Sequence, residues 1–386
     1  MRIKNHFLKI LVYIVVALVL RYAVIPYALD AQAAWLQTLA ILVIFGFGIG
    51  LVFIGTADVI EETTDVLKDR TGLAGGFLQS LGTAFPDMII GIVAALGSLL
   101  VSGTDHIRAI NLAIIAASAT FGSNIYNILY SVWCVHRQNV ADERRHSVFM
   151  VPYVPSLGKL KPLKDHRIKP TIKEMDGAIR VLMSLTLLTA FVASSMVVFG
   201  RVNEASNPLS GDLYQLIRPV GVILFLLCVG ILYYFRKSNR AESPLEEVEV
   251  EERYYSRQST ARIWFDLLLS GVAILFAAES MVKAMEVFSQ LTHIPFVVTG
   301  IAAGIIGCLG EMIVIHNFSV HPKGRIGDAI VGVAMDNIVT TLGASVVAIM
   351  GGIFLGGNSL ILIFVVILTA NTLLIEQISK LKNKLV

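Results

Sequence analysis

The chain has 386 residues, 55% hydrophobic and only 15% charged, with a formal net charge of +3. A soluble domain carries about 25% charged residues, so this composition, with a mean hydropathy of +0.74, excludes an ordinary soluble domain and indicates a polytopic helical membrane protein. Net charge says little about partners here, since the placement of Lys and Arg matters more than their sum.

Apolar runs reach or approach the roughly 20 residues needed to cross a bilayer. They predict ten helices, near 8–29, 35–56, 73–101, 107–134, 178–200, 213–235, 262–287, 294–318, 326–351 and 357–378. The first span, with its basic start, the run Ile10–Leu20 and then Ala31-Gln32-Ala33, has features of a cleavable signal peptide. Arg21 and the long gap before Ala33 favour a retained helix. With the N-terminus in the cytoplasm, 26 of the 31 Lys and Arg residues fall on the cytoplasmic side. That bias sets ten spans and places both termini inside, as expected for a multi-pass protein of the plasma (inner) membrane.

Two connections are long. Residues 136–177 form a basic, proline-containing cytoplasmic loop, and residues 236–261 hold the acidic run Glu242–Glu252. Both read first as solvated connectors, with regulation by ions or lipids as the sharper alternative. The other loops are short, so residues 1–386 form a single membrane domain whose partners are the bilayer and small ions, with no nucleic acid and an open oligomeric state. Cys134, Cys228 and Cys308 lie in apolar segments without paired spacing, which gives neither a disulfide framework nor a zinc site.

Two stretches repeat one pattern. Gly82-Thr83-Ala84-Phe85-Pro86-Asp87 is followed by Phe121-Gly122-Ser123-Asn124, and Gly307-Cys308-Leu309-Gly310-Glu311 by Ala334-Met335-Asp336-Asn337. Each puts a carboxylate at a glycine-rich break in one span and a polar ligand at a small-residue patch in the next. Charge inside an apolar span is costly and reads as functional by default. Asp87 and Glu311 lie five spans apart, as do Asn124 and Asp336, so the copies cross the membrane in opposite directions. Inverted repeats with broken helices mark a transport site near mid-bilayer. The glycines permit close approach and unwinding, and Pro86 frees a carbonyl one turn back. Carbonyls and carboxylates together make a hard-oxygen cation site.

At these residues the chain resembles the cation/calcium exchanger superfamily, whose two inverted alpha-repeats carry Gly-Thr-Ser-x-Pro-Glu and Gly-Ser-Asn or Gly-Ser-Asp. The resemblance covers residues 35–135 as a first repeat region and 262–378 as a second. It implies an all-α fold of about ten helices, with broken helices meeting at mid-membrane. It also implies secondary active antiport, calcium moving against sodium or protons, with no enzyme chemistry and no cofactor. Asp87 and Glu311 would be the central carboxylates and Asn124 and Asp336 would flank them. Thr83 and Thr120, each four residues before its ligand, would add oxygens.

The chain departs from the family pattern in specific places. Asp87 stands where the family has Glu, Ala84 where it has Ser, and Gly307 and Cys308 where Thr and Ser are expected. Gly332, four residues before Asp336, carries no hydroxyl. These losses weaken sodium sites more than a carboxylate-held calcium site. Three carboxylates in an empty site favour protonation of at least one, which gives protons a natural role as counter-ion.

Other polar groups read as structural. Asp58, Glu61, Glu62 and Asp65 share one helical face, and Glu279 and Lys283 have the spacing to pair. Asn111, Asn127, Asn337, Asn371 and Gln79 are expected to bridge helices, with Asn127 and Asn337 close to the motifs. None of His146, His166, His293 and His321 is assigned to a metal. Two other classes stay open: a transport-inactive exchanger-like regulator or binding protein, and an intramembrane aspartyl protease using Asp87 and Asp336.

Overall fold

The computed structural model describes residues 6–71, 75–167, 169–202, 212–238, 254–321, 326–351 and 353–385. Within its helices the side chains of 57, 58, 61, 64, 65, 68, 69, 71, 75–83, 85–87, 235–238, 310, 314 and 328 lie outside that description.

Helix α1 (His6–Val19) continues into a wider π-helical stretch, Leu20–Leu29, that contains Pro26. Helix α2 (Ala34–Phe47) passes through a second π-helical stretch, Gly48–Phe53, directly into α3 (Ile54–Thr71). Then come α4 (Gly75–Val101), α5 (His106–Arg144), α6 (Ile172–Phe199), α7 (Arg218–Ser238) and α8 (Thr260–Thr292). The chain ends with α9 (Phe296–Gly307), α10 (Leu309–Val320), α11 (Ile326–Met350) and α12 (Gly357–Asn383). Among the described residues seven helices are long and apolar enough to cross a membrane, and α9 with α10 forms a bent apolar pair that would make an eighth span. The shorter apolar helices Met88–Val101 and Arg218–Tyr234 stand in the remaining two of the ten expected spans.

Cross-helix contacts sort the helix ends onto two faces. Arg108 at the start of α5 pairs with Glu286 near the end of α8, so those ends share a face. On that face β3 (Arg201–Val202), β4 (Leu213–Gln215) and β5 (Phe354–Gly356) form a small antiparallel sheet. Leu213 and Phe354 of this sheet pack on Ile110 and Ile114 of α5. The opposite face carries both ends of the chain. There Lys382 binds Asp176 at 2.6 Å and Lys384 reaches the Asn139 carbonyl at 3.0 Å. Arg70 bonds the Ser256 carbonyl at 2.9 Å, and the His6 ring stacks on Tyr254 at 4.2 Å.

Part of the expected loop 136–177 is ordered. Helix α5 runs on to Arg144, and α6 starts early, at Ile172, because Thr171 and Glu174 make a reciprocal capping box. Between them β1 (Val148–Val151) and β2 (Val154–Leu160) form a hairpin, held to α5 by Arg137 and Trp133 bonding Phe149 and Met150 carbonyls. In the second long connection, residues 239–253, which hold the acidic run, lie outside the described residues. The turn after it, Tyr254–Arg257, docks on α3, with the Tyr255 amide donating to Glu62 at 3.3 Å. Glu279 and Lys283 do not pair with each other. Arg21 takes Glu279 at 2.9 Å, and Lys283 lies 3.6 Å from both Asp30 and Glu286, because neighbouring helices bring closer partners than the same helix does.

Candidate functional site

Small residues bring α9 against α5 at backbone distance and seat side chains of α5 and α4 against glycines of α4 and α11. On α9, a Cβ at Gly304 would stand 2.5 Å from Ser123 N and 2.7 Å from the Ala119 carbonyl of α5. A Cβ at Gly122 would stand 3.0 Å from Ile301 Cα. The Gly122-Ser123-Asn124 patch is thus pressed against α9 one turn before the second motif begins at Gly307. On the other side Gly91 of α4 faces the Thr120 hydroxyl, and Gly343 of α11 faces Met88 of α4. The contact of α5 with α9 and that of α11 with α4 correspond under the repeat.

The second copy is broken as expected. Helix α9 stops at Gly307, α10 starts at Leu309, and the two segments bend by 51°. The break leaves end carbonyls of α9 and first-turn amides of α10 at one level. Glu311 sits in that first turn, where a carboxylate is favoured by the helix dipole, and is 1% exposed. Cys308 turns its sulfur back to the Ile305 carbonyl at 3.4 Å. In the first copy, α4 is one continuous helix from Gly75 to Val101, without the expected break. Proline is tolerated inside membrane helices when neighbours satisfy the freed groups.

The expected ligands distribute as follows. Glu311, Asp336, Asn124 and Thr120 are all buried, at 1, 6, 4 and 1% exposure. Asn124 Oδ1 has no hydrogen-bond partner among the described residues. The Thr120 hydroxyl donates to the Ala116 carbonyl of its own helix at 2.8 Å, which leaves its oxygen lone pairs toward α4. The side chains of Asp87 and Thr83 lie outside the described residues. Position 87 precedes Gly91 by one turn on α4, and Asn124 follows Thr120 by one turn on the antiparallel α5. Since Gly91 meets Thr120, helix geometry puts position 87 level with Asn124.

Two hydroxyls next to Asp336 were not singled out in the sequence. Thr340 and Thr341, fully or nearly buried, donate to the carbonyls of Asp336 and Asn337 at 3.0 and 2.7 Å. The first copy has its hydroxyl four residues before the ligand and the second has one four residues after. A spacing search in both directions from each acidic residue would have found it. The expected helix-bridging amides behave differently from expectation: Asn127, Asn337 and Asn371 are at most 1% exposed, yet neither amide atom of any of them has a partner among the described residues. Gln79 lies outside the described side chains.

Buried carboxylates thus sit at a bent helix pair inside an all-helical bundle in which, among the described residues, seven helices are long and apolar enough to cross a membrane, or eight if the bent pair is one span. Solved structures share this fold. The chain superposes on the H+/Ca2+ exchanger CAX with a TM-score of 0.58 at 14% identity, covering 99% of this chain and 95% of that one. It superposes on native YfkE with a TM-score of 0.57 at 14% identity, covering 96% and 90%. No family model matches the chain, and no curated protein matches it by sequence.

Proposed function

We propose that this protein is a secondary active cation antiporter that moves calcium in exchange for sodium or protons through one central carboxylate site. The observation that carries the reading is the burial of Glu311 in the first turn after the α9–α10 break, with Asp336 buried on α11, which packs against α10. A buried carboxylate in an apolar span is costly unless it serves an ion path. Asp87 completes the site from α4, level with Asn124, and Thr83, Thr120 and Thr340 supply neutral oxygens. Hard oxygens from carboxylates, amides and hydroxyls suit calcium. The face bearing both termini also carries most of the Lys and Arg residues, and it is cytoplasmic on the positive-inside bias.

The test is calcium flux into proteoliposomes under an imposed sodium or pH gradient. The parent protein accumulates calcium only with a gradient present, and Asp87→Asn with Glu311→Gln abolishes the uptake. Calcium binding in detergent without gradient-driven flux would favour the transport-inactive regulator.

A further inference from the structure

Helices α6 and α7 both pack on α11. Helix α6 leads into β3 and α7 follows β4, the paired strands of the opposite face, so the two helices run antiparallel. Toward the face bearing the termini they part, and an open groove of about 550 Å³ lies between them. Arg180, Met183 and Ser184 line its α6 wall, and Leu226, Leu227 and Tyr234 line its α7 wall. Gly230, in the middle of the α7 wall, has nothing within 4 Å of a Cβ position, which keeps the groove deep.

The groove is graded in polarity along its length. Arg180 and Tyr234 stand at the end nearer the termini. Leu226 precedes Tyr234 by eight residues on α7, which puts it about 12 Å deeper in the bilayer. Met183, Leu226 and Leu227 are all exposed on the outside of the bundle, where the hydrocarbon is. Arg180 is the charged group of the lining. Charge within a span normally has a partner, and Asp176, one turn earlier on α6, has the spacing to provide one. Asp176 is instead turned to Lys382 at 2.6 Å, and Glu174 is engaged in the capping box. Among the described residues no carboxylate stands within ion-pair distance of Arg180.

A guanidinium offers a planar fork of N–H donors that matches phosphate oxygens two at a time. Arg236 and Lys237 follow Tyr234 by two and three residues and add positive charge at the same end of the groove. Basic pockets between spans on the cytoplasmic side of a membrane take anionic headgroups, and Tyr is favoured where the bilayer meets water. We propose that the α6–α7 groove is a specific site for one anionic phospholipid of the leaflet next to the termini. The phosphate sits on Arg180, the glycerol backbone beside Tyr234, and one acyl chain runs inward along Leu226 and Leu227. A zwitterionic phospholipid offers the same chain, but its headgroup brings a cation of its own toward Arg180, so the headgroup decides between them. The proposal needs only that the chain spans a bilayer, and it stands whether or not the protein moves calcium.

The test is native mass spectrometry of the full chain in detergent, titrated with dioleoyl phosphatidylglycerol or dioleoyl phosphatidylcholine, with thermal unfolding as the check on folding. The parent protein is expected to bind its first phosphatidylglycerol about tenfold more tightly than phosphatidylcholine, the worth of one charge-assisted contact. Arg180→Gln brings phosphatidylglycerol down to the phosphatidylcholine level. Arg144→Gln, which removes an equal charge from the exposed end of α5, leaves the preference intact. Gly230→Phe fills the groove from its open side and weakens both lipids several-fold with Arg180 still in place, and it decides the case should Arg180→Gln fail to fold. Equal affinity for the two lipids in the parent overturns the proposal. So does a preference that survives Arg180→Gln or Gly230→Phe, or one that Arg144→Gln removes as fully as Arg180→Gln. Displacement of phosphatidylglycerol by inorganic phosphate at matched ionic strength would make this a free-anion site and overturn the lipid assignment.

Discussion

Replacing Gly304 by Ala tests the tight seat of α9 on α5. The added methyl would stand 2.5 Å from Ser123 N, 2.7 Å from the Ala119 carbonyl oxygen and 2.9 Å from the Gly122 carbonyl carbon. Ordinary van der Waals contact begins at 3.4 Å, so the helices must part by about 0.9 Å, and the obstructing atoms are backbone that has no rotamer to escape into. Overpacking of this kind costs about 1–3 kcal/mol, against which the better helix propensity of Ala returns about 1 kcal/mol. The net expectation is a loss of up to about 2 kcal/mol in stability. Asn124 follows Ser123 directly, so the same displacement moves it relative to the break at Gly307, and a misplacement of about 1 Å in a reactive or ligand site can cost about 100-fold in activity. Thermal unfolding in detergent and calcium flux in proteoliposomes are the assays. Gly230→Ala is the control, since nothing lies within 4 Å of a Cβ there. If Gly304→Ala unfolds and transports like Gly230→Ala, the close apposition of α9 and α5 is not part of the site.

Gly332 also has nothing within 4 Å of its Cβ position, so Gly332→Ser restores a hydroxyl one turn before Asp336 without a clash. It is expected to fold at least as well as the parent and to increase the sodium dependence of flux; unchanged ion preference would show that this hydroxyl is not the missing ligand. Glu286 is 4% exposed and receives two bonds from Arg108, at 2.6 and 3.0 Å. Glu286→Gln should cost about 2 kcal/mol, less than a fully buried pair because Arg108 reaches solvent, and an unshifted melting temperature would contradict this. Burial holds the His166 imidazole below its ordinary value of 6.5, against the raising effects of the Lys161 carbonyl, Asp142 and Asp165. The unfolded segment therefore binds more protons just below pH 6.5, so stability falls as pH drops through that value and is retained above it. Protection factors of the β1–β2 hairpin amides, referred to the intrinsic exchange rate at each pH, should fall on acidification from about pH 7.5 to about pH 5.5, and His166→Gln should flatten the change.

Much of this architecture is legible in the amino-acid sequence, because long apolar runs leave a helix few alternatives in a bilayer. The all-helical membrane architecture, with seven of the ten expected spans long and apolar enough to cross a bilayer among the described residues, and the burial of Glu311, Asp336 and Asn124 follow from hydropathy and motif alone. The structured part of the 136–177 connection does not, because its hairpin is held by side chains of α5 reaching over from a neighbouring element. The pairing of Glu279 with Arg21 is equally hidden, being a contact between distant spans. Of the two predicted breaks, only the one at Gly307–Cys308 is present. Gly307 and Gly310 flank that break, whereas α4 continues through Pro86 as a single helix.

The most direct test of the central claim is gradient-driven calcium uptake by purified protein in proteoliposomes, compared between the parent and Glu311→Gln. The account predicts uptake that requires an inward-to-outward sodium or proton gradient, and its loss on removal of this one buried charge with the fold intact by melting temperature. Uptake by Glu311→Gln at the parental rate would contradict it.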